Sequence, residues 1–500
     1  MCPVNSDAGQ SREVLILGGG FAGLFAALHF SRLHGSVPVT LVDQNPRFVF
    51  KPLLYELLTG EMHEDQVCPR YDELLKGTSV SFLQGDVSGI DLSNQTVHLA
   101  SDDPLSYRYL VLALGSVSGF FGIHGAEENS LPFRTHQDAI QLARHLRSCL
   151  QQAVHEPDGD KRATLTTFTV VGAGPSGVEM AGTLGDLLPS WYEEMGGDRE
   201  ELRIVLMNRS GTILKGDINE RLREDATQAL ESRTVPVELL LESSVRSVQP
   251  CSIEYEKEGD SRSFATATVI WTAGSSTHPL LLQLAVPEHQ RDHHGRLRVK
   301  ENLVLPDYPN VFAGGDCAAE PTPLPPTAQV AYQQGRAIAH GLVRLLHGQP
   351  PGALPVHLRG SMLKLGIRES AVNLYGRFEL TGVTGHLIRQ ATYLELLPTP
   401  LHDLKATAEW LRDETFHRFA KPQDSRTPGA VPVLWKWVGT FLLLLLVAGG
   451  SFALWQRIGP QPQRRTQQST GLGDAGHSGM SEFSNLSAGH RLPDGGSSPG

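Results

Sequence analysis

VLILGGGFAGLFAALHFSRL, residues 14–33, carries the reading that decides the fold. It opens on Val14-Leu15-Ile16-Leu17, large aliphatic residues with no polar alternation. A strand buried on both faces of a parallel sheet reads this way. The run breaks into Gly18-Gly19-Gly20-Phe21-Ala22-Gly23, a GxGxxG spacing. The first glycine of that spacing permits the strand-to-helix turn, the second lets a pyrophosphate approach the backbone, and the third lets helix and strand pack closely. The stretch that follows is helical, with Leu24, Ala27 and Leu28 on one face. VTLVDQ, 39–44, then reads as a second strand with Asp43 at its tip, where a carboxylate can accept ribose hydroxyls. Strand, glycine turn, helix and tip acid together predict a dinucleotide-binding βαβ unit.

The same pattern recurs. FTVVG (168–172) leads into Gly172-Ala173-Gly174-Pro175-Ser176-Gly177, a helix to about Leu188, and the strand LRIVLMNR (202–209). Pro175 suits a first helical turn, where its missing N–H costs little. Two fingerprints predict an α/β chain with two Rossmann-like domains, one nucleotide in each. RYLVLALGS (108–116), TVIWTAGSS (268–276) and YPNVFAGGDCA (308–318) read as further strands entering glycine turns. The expected organisation is an N-terminal arm 1–13, one nucleotide domain from 14–125 and 295–350, and a second from 160–290. A C-terminal region, 351–430, is strand-like over 355–383 and helical with basic residues over 402–419.

VGTFLLLLLVAGGSFALW, 438–455, has no charge and is edged by Trp435, Trp437 and Trp455. It is near the lower length limit for crossing a hydrocarbon core of about 30 Å. The expected transmembrane helix is 436–456, and the polar, Gly-rich tail 457–500 is expected to be disordered.

Composition narrows the function. The 500 residues exceed one core. A net charge of −11 and the lack of a basic block interleaved with aromatics argue against nucleic acid. The five cysteines form no CxxC pair and have no histidine at zinc spacing, so no metal and no dithiol chemistry is expected. MCPVNSDAGQSRE has no apolar segment of the secretory kind, so the folded part is expected in the cytoplasm.

LGGGFAGL (17–24), FVFKPLLYELLTGE (48–61), YLVLALGS (109–116), VVGAGPSGVEMAG (170–182), IWTAG (270–274), VFAGGDCA (311–318) and TAQVAYQQG (327–335) resemble one family. They are similar to the type II NAD(P)H dehydrogenases, single-subunit NAD(P)H:quinone oxidoreductases, and GHLIRQATYLELLPTP (385–400) to the cyanobacterial and plastid branch. The resemblance implies FAD and NAD(P)H, no metal, no proton pumping, and a membrane quinone of plastoquinone or naphthoquinone type as partner. It further implies that the C-terminal region 351–430 docks on the lipid bilayer through amphipathic segments of 386–420, at the cytoplasmic face of a plasma or thylakoid membrane, with 438–455 a single span or a re-entrant segment beyond that peripheral anchor, and allows a homodimer. It places the ADP half of FAD on Gly18, Gly20, Gly23 and Asp43, the ribityl chain at Asp316, and the flavin ring beside Lys51 and Pro52. Phe21, Ala22, Gly115, Gly172, Gly174, Gly177, Glu179, Asn208, Arg209, Gly274, Ala328 and Gln329 complete the expected cofactor-binding set. Glu179, Lys51, Gln329 and Gln333 are the expected catalytic residues, the two glutamines as hydrogen-bond partners of quinone carbonyls.

A carboxylate at the second strand tip would pair with the free 2′-hydroxyl of NADH and repel a 2′-phosphate. This tip reads Asn208-Arg209-Ser210. Asparagine does not repel the phosphate and arginine can bind it, which points to NADPH. Asn208 on the hydroxyl of NADH is the alternative, so the cofactor stays NAD(P)H. Two other functions fit the fold: a sulfide:quinone oxidoreductase, which needs a redox-active cysteine pair, and a membrane-tethered flavoprotein redox sensor.

Overall fold

Two parallel sheets of the same design organise the computed structural model, which describes residues 12–398 apart from 102, 217 and 375–377. Residues 1–11 of the expected arm 1–13, and the expected segments 402–419, 436–456 and 457–500, lie outside the described residues, whereas Arg12 and Glu13 open the first strand. In the first sheet the strands run in the order Val80–Gln84, Val39–Asp43, Arg12–Leu17, Leu105–Leu112, Val311–Ala313, all parallel. The antiparallel strands Val87–Asp91 and Thr96–Leu99 extend it from Leu105–Leu112. Val14 to Leu17 are fully buried, as an unbroken aliphatic run in a two-face-covered strand must be.

The second sheet is parallel in the order Val237–Leu240, Arg203–Met207, Thr167–Val171, Thr268–Trp271, Leu131–Pro132. It reaches back to residues 131–132, ahead of the expected boundary at 160, because the linker donates an edge strand as it crosses between domains. The antiparallel strands Ser243–Gln249, Ser252–Lys257 and Asp260–Ala265 lie between its last two crossovers.

Close backbone approaches set the helices in place. Helices Phe21–Leu33 and Ala328–Leu346 cross where Gly335 meets Ala22; a Cβ on Gly335 would stand 2.5 Å from the Ala22 carbonyl oxygen. Helix Pro175–Glu194 carries Pro189 in its interior. Proline cannot donate to the carbonyl four residues earlier. That orphaned carbonyl, on Gly185, instead accepts the Val235 N–H at 2.9 Å.

Residues 360–380 form the antiparallel strands Gly360–Gly366, Glu369–Leu374 and Phe378–Leu380, in line with the alternation of 355–383. Strand Gly360–Gly366 lies on helix Pro175–Glu194; a Cβ on Gly182 would come within 2.2 Å of the Leu365 carbonyl oxygen. Arg233 anchors this sheet through Asp186 at 3.0 Å and Glu369. Helix Gly382–Glu395 packs behind it and buries His386, Arg389 and Gln390. In the described part of the 351–430 region, Lys364, His386, Arg389 and Gln390 are buried in the protein. No helix among the described residues is long and apolar enough to cross a membrane.

Candidate active site

Each fingerprint turn has the same geometry. Gly18 sits at φ +95°, and a Cβ there would meet the Ala113 carbonyl oxygen at 2.4 Å. A Cβ on Gly23 would stand 1.9 Å from the Gly18 oxygen, whereas one on Gly20 meets nothing within 4 Å. In the second turn Gly172 sits at φ +102°, a Cβ on Gly177 would stand 1.7 Å from the Gly172 oxygen, and Gly174 again faces open space. Two glycines of each turn therefore serve the fold, and the middle one leaves a backbone-lined cradle at a helix N-terminus. Free N–H groups and the positive end of the helix dipole make such a cradle suit a pyrophosphate. The residues fit one dinucleotide per domain.

The strand tips lock these turns. Asp43 accepts the Gly19 N–H at 2.7 Å and the Asn45 N–H at 2.8 Å. Burial pushes its carboxyl pKa up and those two bonds oppose the rise. Tyr71 closes the same turn from outside, its hydroxyl donating to the Gly19 carbonyl at 2.9 Å. At the second tip Asn208 accepts the Ala173 N–H at 3.3 Å and donates to Ser210 Oγ at 2.7 Å and the Thr212 carbonyl at 2.9 Å. Its amide is thus committed to shaping the loop. Arg209 and Lys215 stand exposed on that loop, with no ion-pair partner among the described residues.

At the C-terminal edge of the first sheet, Lys51 opens the short helical turn Lys51–Leu53. Lys51 is exposed, with Arg134, Asp138 and Asp316 near its ammonium. Desolvation and the neighbouring Arg134 lower its pKa, and Asp316 and Asp138 oppose them. Asp316 accepts the Ser116 hydroxyl at 2.7 Å, and Arg134 donates to the same hydroxyl oxygen at 2.7 Å. Gly115 and Gly315, at φ +70° and +74°, carry the two loops that meet here. The Gly315 N–H is held by Gln334 at 2.6 Å. Lys51, Gly115 and Asp316 are therefore neighbours. Arg134 joins them from the linker, which offered no motif to read.

Glu179 lies two residues past the last glycine of the second fingerprint. It accepts the Lys364 N–H at 2.9 Å and sits 3.9 Å from Arg389. Burial raises its pKa to about 7 against the pull of Arg389 and of the Lys364 N–H. Around it lies a wholly buried ionic cluster. Lys364 Nζ contacts Glu56 at 3.2 Å and also Glu61, and Arg389 donates to Glu56 at 2.5 Å and to the Pro52 carbonyl at 2.6 Å. Burial works against ionising Glu56, yet Arg389 and Lys364 hold its pKa down to about 2. Glu56 and Glu61 lie inside FKPLLYELLTGE and Arg389 inside GHLIRQATYLELL, both noted in the sequence, but nothing local to either stretch shows that they meet.

Gln329 and Gln333 share one helix face, with their amides engaged by the main chain. Gln333 donates to the His357 carbonyl at 3.0 Å and accepts the His357 N–H at 2.9 Å. Gln329 donates to the Gly360 carbonyl at 3.1 Å and accepts the Arg359 N–H at 3.0 Å. They bind residues 357–360 as a neighbouring strand would, a role that helical spacing alone did not suggest.

The described cysteines are free thiols. Burial raises Cys68 to about 12 and Cys317 to about 11, far from the thiolate that sulfide chemistry would need. Among the described residues no cluster of metal-ligating side chains occurs.

Residues 12–335 match the pyridine nucleotide-disulphide oxidoreductase family. The chain is 33% identical over 413 residues to the demethylphylloquinone reductase NdbB of Synechocystis, spanning 80% of this chain and 95% of that one. It is 32% identical over 458 residues to the alternative NAD(P)H-ubiquinone oxidoreductase C1 of Arabidopsis thaliana, spanning 83% of each. Its fold matches the NDH2 of Plasmodium falciparum, a structure solved in complex with NADH, at a TM-score of 0.73 and 17% identity over 82% of this chain and all of that one. The two fingerprint turns and these similarities converge: the chain belongs to the pyridine nucleotide-disulphide oxidoreductase family and, within it, to the type II NAD(P)H:quinone oxidoreductases.

Proposed function

We propose that this chain is an NAD(P)H:quinone oxidoreductase, with FAD on the first fingerprint turn and NAD(P)H on the second. FAD, when bound, supplies the chemistry: it takes a hydride from the nicotinamide and passes two electrons to a quinone. The observation that carries the reading is the pair of cradles, each with an open middle glycine, and the largely buried acid Glu179 two residues past the second of them.

The chain's own residues bind, orient and move protons. Gly18, Gly20, Gly23 and Asp43 hold the ADP half of FAD. Asp316, fixed by Ser116, orients a sugar hydroxyl of its linker. Lys51 and Arg134 place two cations near Asp316 and balance the negative charge that arrives with a hydride. Glu179, near half-protonated at neutral pH, exchanges a proton beside the nicotinamide. Gln329 and Gln333 keep the 357–360 segment as a wall of the quinone site.

The second nucleotide is NADPH. With the Asn208 amide spent on its loop, Arg209 and Lys215 are free to bind a 2′-phosphate. The acceptor is a naphthoquinone or plastoquinone, a reading supported by the demethylphylloquinone in the Synechocystis relative's name. Such substrates stay in the bilayer, so the enzyme works at a membrane surface, with 438–455 the candidate for contact.

The test is steady-state oxidation of NADPH and of NADH by the purified flavin-loaded protein with a naphthoquinone analogue. Turnover with NADPH at a much lower KM than NADH is expected. Equal turnover removes the NADPH assignment, and no turnover with either removes the quinone reductase.

A further inference from the structure

Charge accounting around Glu179 singles out one residue. Four elements meet there: helices Leu54–Thr59, Pro175–Glu194 and Gly382–Glu395, and strand Gly360–Gly366. The first brings Tyr55, whose hydroxyl donates to the Ser176 carbonyl at 3.0 Å, and Glu56. The strand brings Lys364, and Gly382–Glu395 brings His386, Arg389 and Tyr393, with the Arg389 guanidinium 4.9 Å over the Tyr393 ring. Glu61 follows on the loop after Thr59. Burial holds His386 down at about 4, so it is neutral at pH 7, and raises Tyr393 to about 12.

Two carboxylates, Glu56 and Glu61, therefore face two cations, Lys364 and Arg389, in a site closed to water. The set is balanced without Glu179. Ionising Glu179 adds a charge that nothing there offsets, while 12% exposure of its side chain leaves a path for protons to and from water. Lys364 is the pivot, because it touches every carboxyl of the set: Glu56 and Glu61 through its ammonium and Glu179 through its main-chain N–H. A buried lysine paired to two acids is costly to install by comparison with an apolar residue of its size, so stability alone is a weak reason for it.

We propose that Lys364 is a positioning residue for Glu179: its N–H fixes the carboxyl, and its ammonium completes the charge balance that lets Glu179 take up and release a proton beside the nicotinamide. Only the Glu179 O–H bond is made or broken, and the proton comes from and returns to water. The proposal rests on the reading that Glu179 faces the bound nicotinamide.

The experiment is an infrared pH titration of the full-length, FAD-loaded protein, following the carboxylic-acid band that disappears in Glu179→Gln. In the unaltered protein the band titrates near neutrality. In Lys364→Met the excess negative charge must move the midpoint up by about one pH unit or more, and Lys364→Arg must bring it back. A folded, FAD-bearing Lys364→Met with an unmoved midpoint overturns the proposal. If that variant does not fold, Glu61→Gln serves: leaving Lys364 under-compensated, it must lower the midpoint, and no change overturns the proposal equally. Should the midpoint move while Glu179→Gln is reduced by NADPH at the unaltered rate, the charge device is upheld and the placing of the nicotinamide is what fails.

Discussion

The Lys364 N–H donates to the Glu179 carboxylate at 2.9 Å across 185 residues of sequence. That bond is one of several that tie the second nucleotide domain to the C-terminal sheet, and it lies where the proposed chemistry occurs. The burial of Glu179, which this bond opposes, gives it a measurable signature in stability.

The ordinary carboxyl value of Glu179 is 4.5 and burial lifts it to about 7 in the fold. The native state therefore holds this proton more tightly than the unfolded chain does. Its contribution to stability is full below 4.5 and is lost as pH rises through 7. At 1.36 kcal/mol per pKa unit the loss is about 3 kcal/mol. Glu179→Gln still accepts the Lys364 N–H but cannot ionise. Thermal unfolding at pH 5 should be close to unchanged, and at pH 8 the variant should melt higher. Equal melting at both values would remove the burial argument.

His386 behaves in the opposite sense. Burial lowers it from 6.5 to about 4, so the fold keeps it neutral where the unfolded chain would take a proton. The stability it contributes is present above 6.5 and is lost as pH falls through 4. His386→Gln should flatten the acid limb of the unfolding profile between those values. A limb as steep as in the unaltered protein would mean that other groups set it.

Gly174→Val separates the two cradles. A Cβ at this position meets nothing within 4 Å, so the protein should keep its FAD and its melting temperature. It fills the space a pyrophosphate would use, so nucleotide affinity should fall at least about tenfold, the equivalent of about 1.4 kcal/mol. Titration of FAD-loaded protein with NADPH, read by calorimetry, decides it. Gly177→Ala is the contrast, because its Cβ would collide with the Gly172 carbonyl and cost the fold itself.

Arg209→Ala should raise the KM for NADPH about tenfold or more, as loss of a hydrogen bond to a charged group costs roughly 1.5–3 kcal/mol. KM for NADH should stay within twofold, as roughly expected for an exposed side chain that touches nothing else. A parallel rise for both nucleotides would assign Arg209 to the shared part of the molecule.

Much of the fold was legible because its signals are local. An aliphatic run, a glycine spacing and a tip acid lie within about thirty residues, and each reports on the backbone next to it. Asp43 and Gly18 to Gly23 were read this way, and the structure joins them through the Gly19 N–H that Asp43 accepts. Gln329 and Gln333 show the limit. Their spacing placed them on one face, but the partner of that face, the main chain of 357–360, follows about thirty residues later along a path that no local rule specifies. Arg134 was not foreseen for the same reason: its neighbours Ser116 and Asp316 come from separate loops.

The sequence by itself determined two βαβ dinucleotide units and the family to which they belong, because periodicity and glycine stereochemistry act over a few bonds. The tertiary structure alone decided that Glu56, Glu61, Lys364 and Arg389 converge on Glu179. The chemistry of a buried charge is set by what surrounds it, and those surroundings exist only once distant segments have packed and water has been excluded.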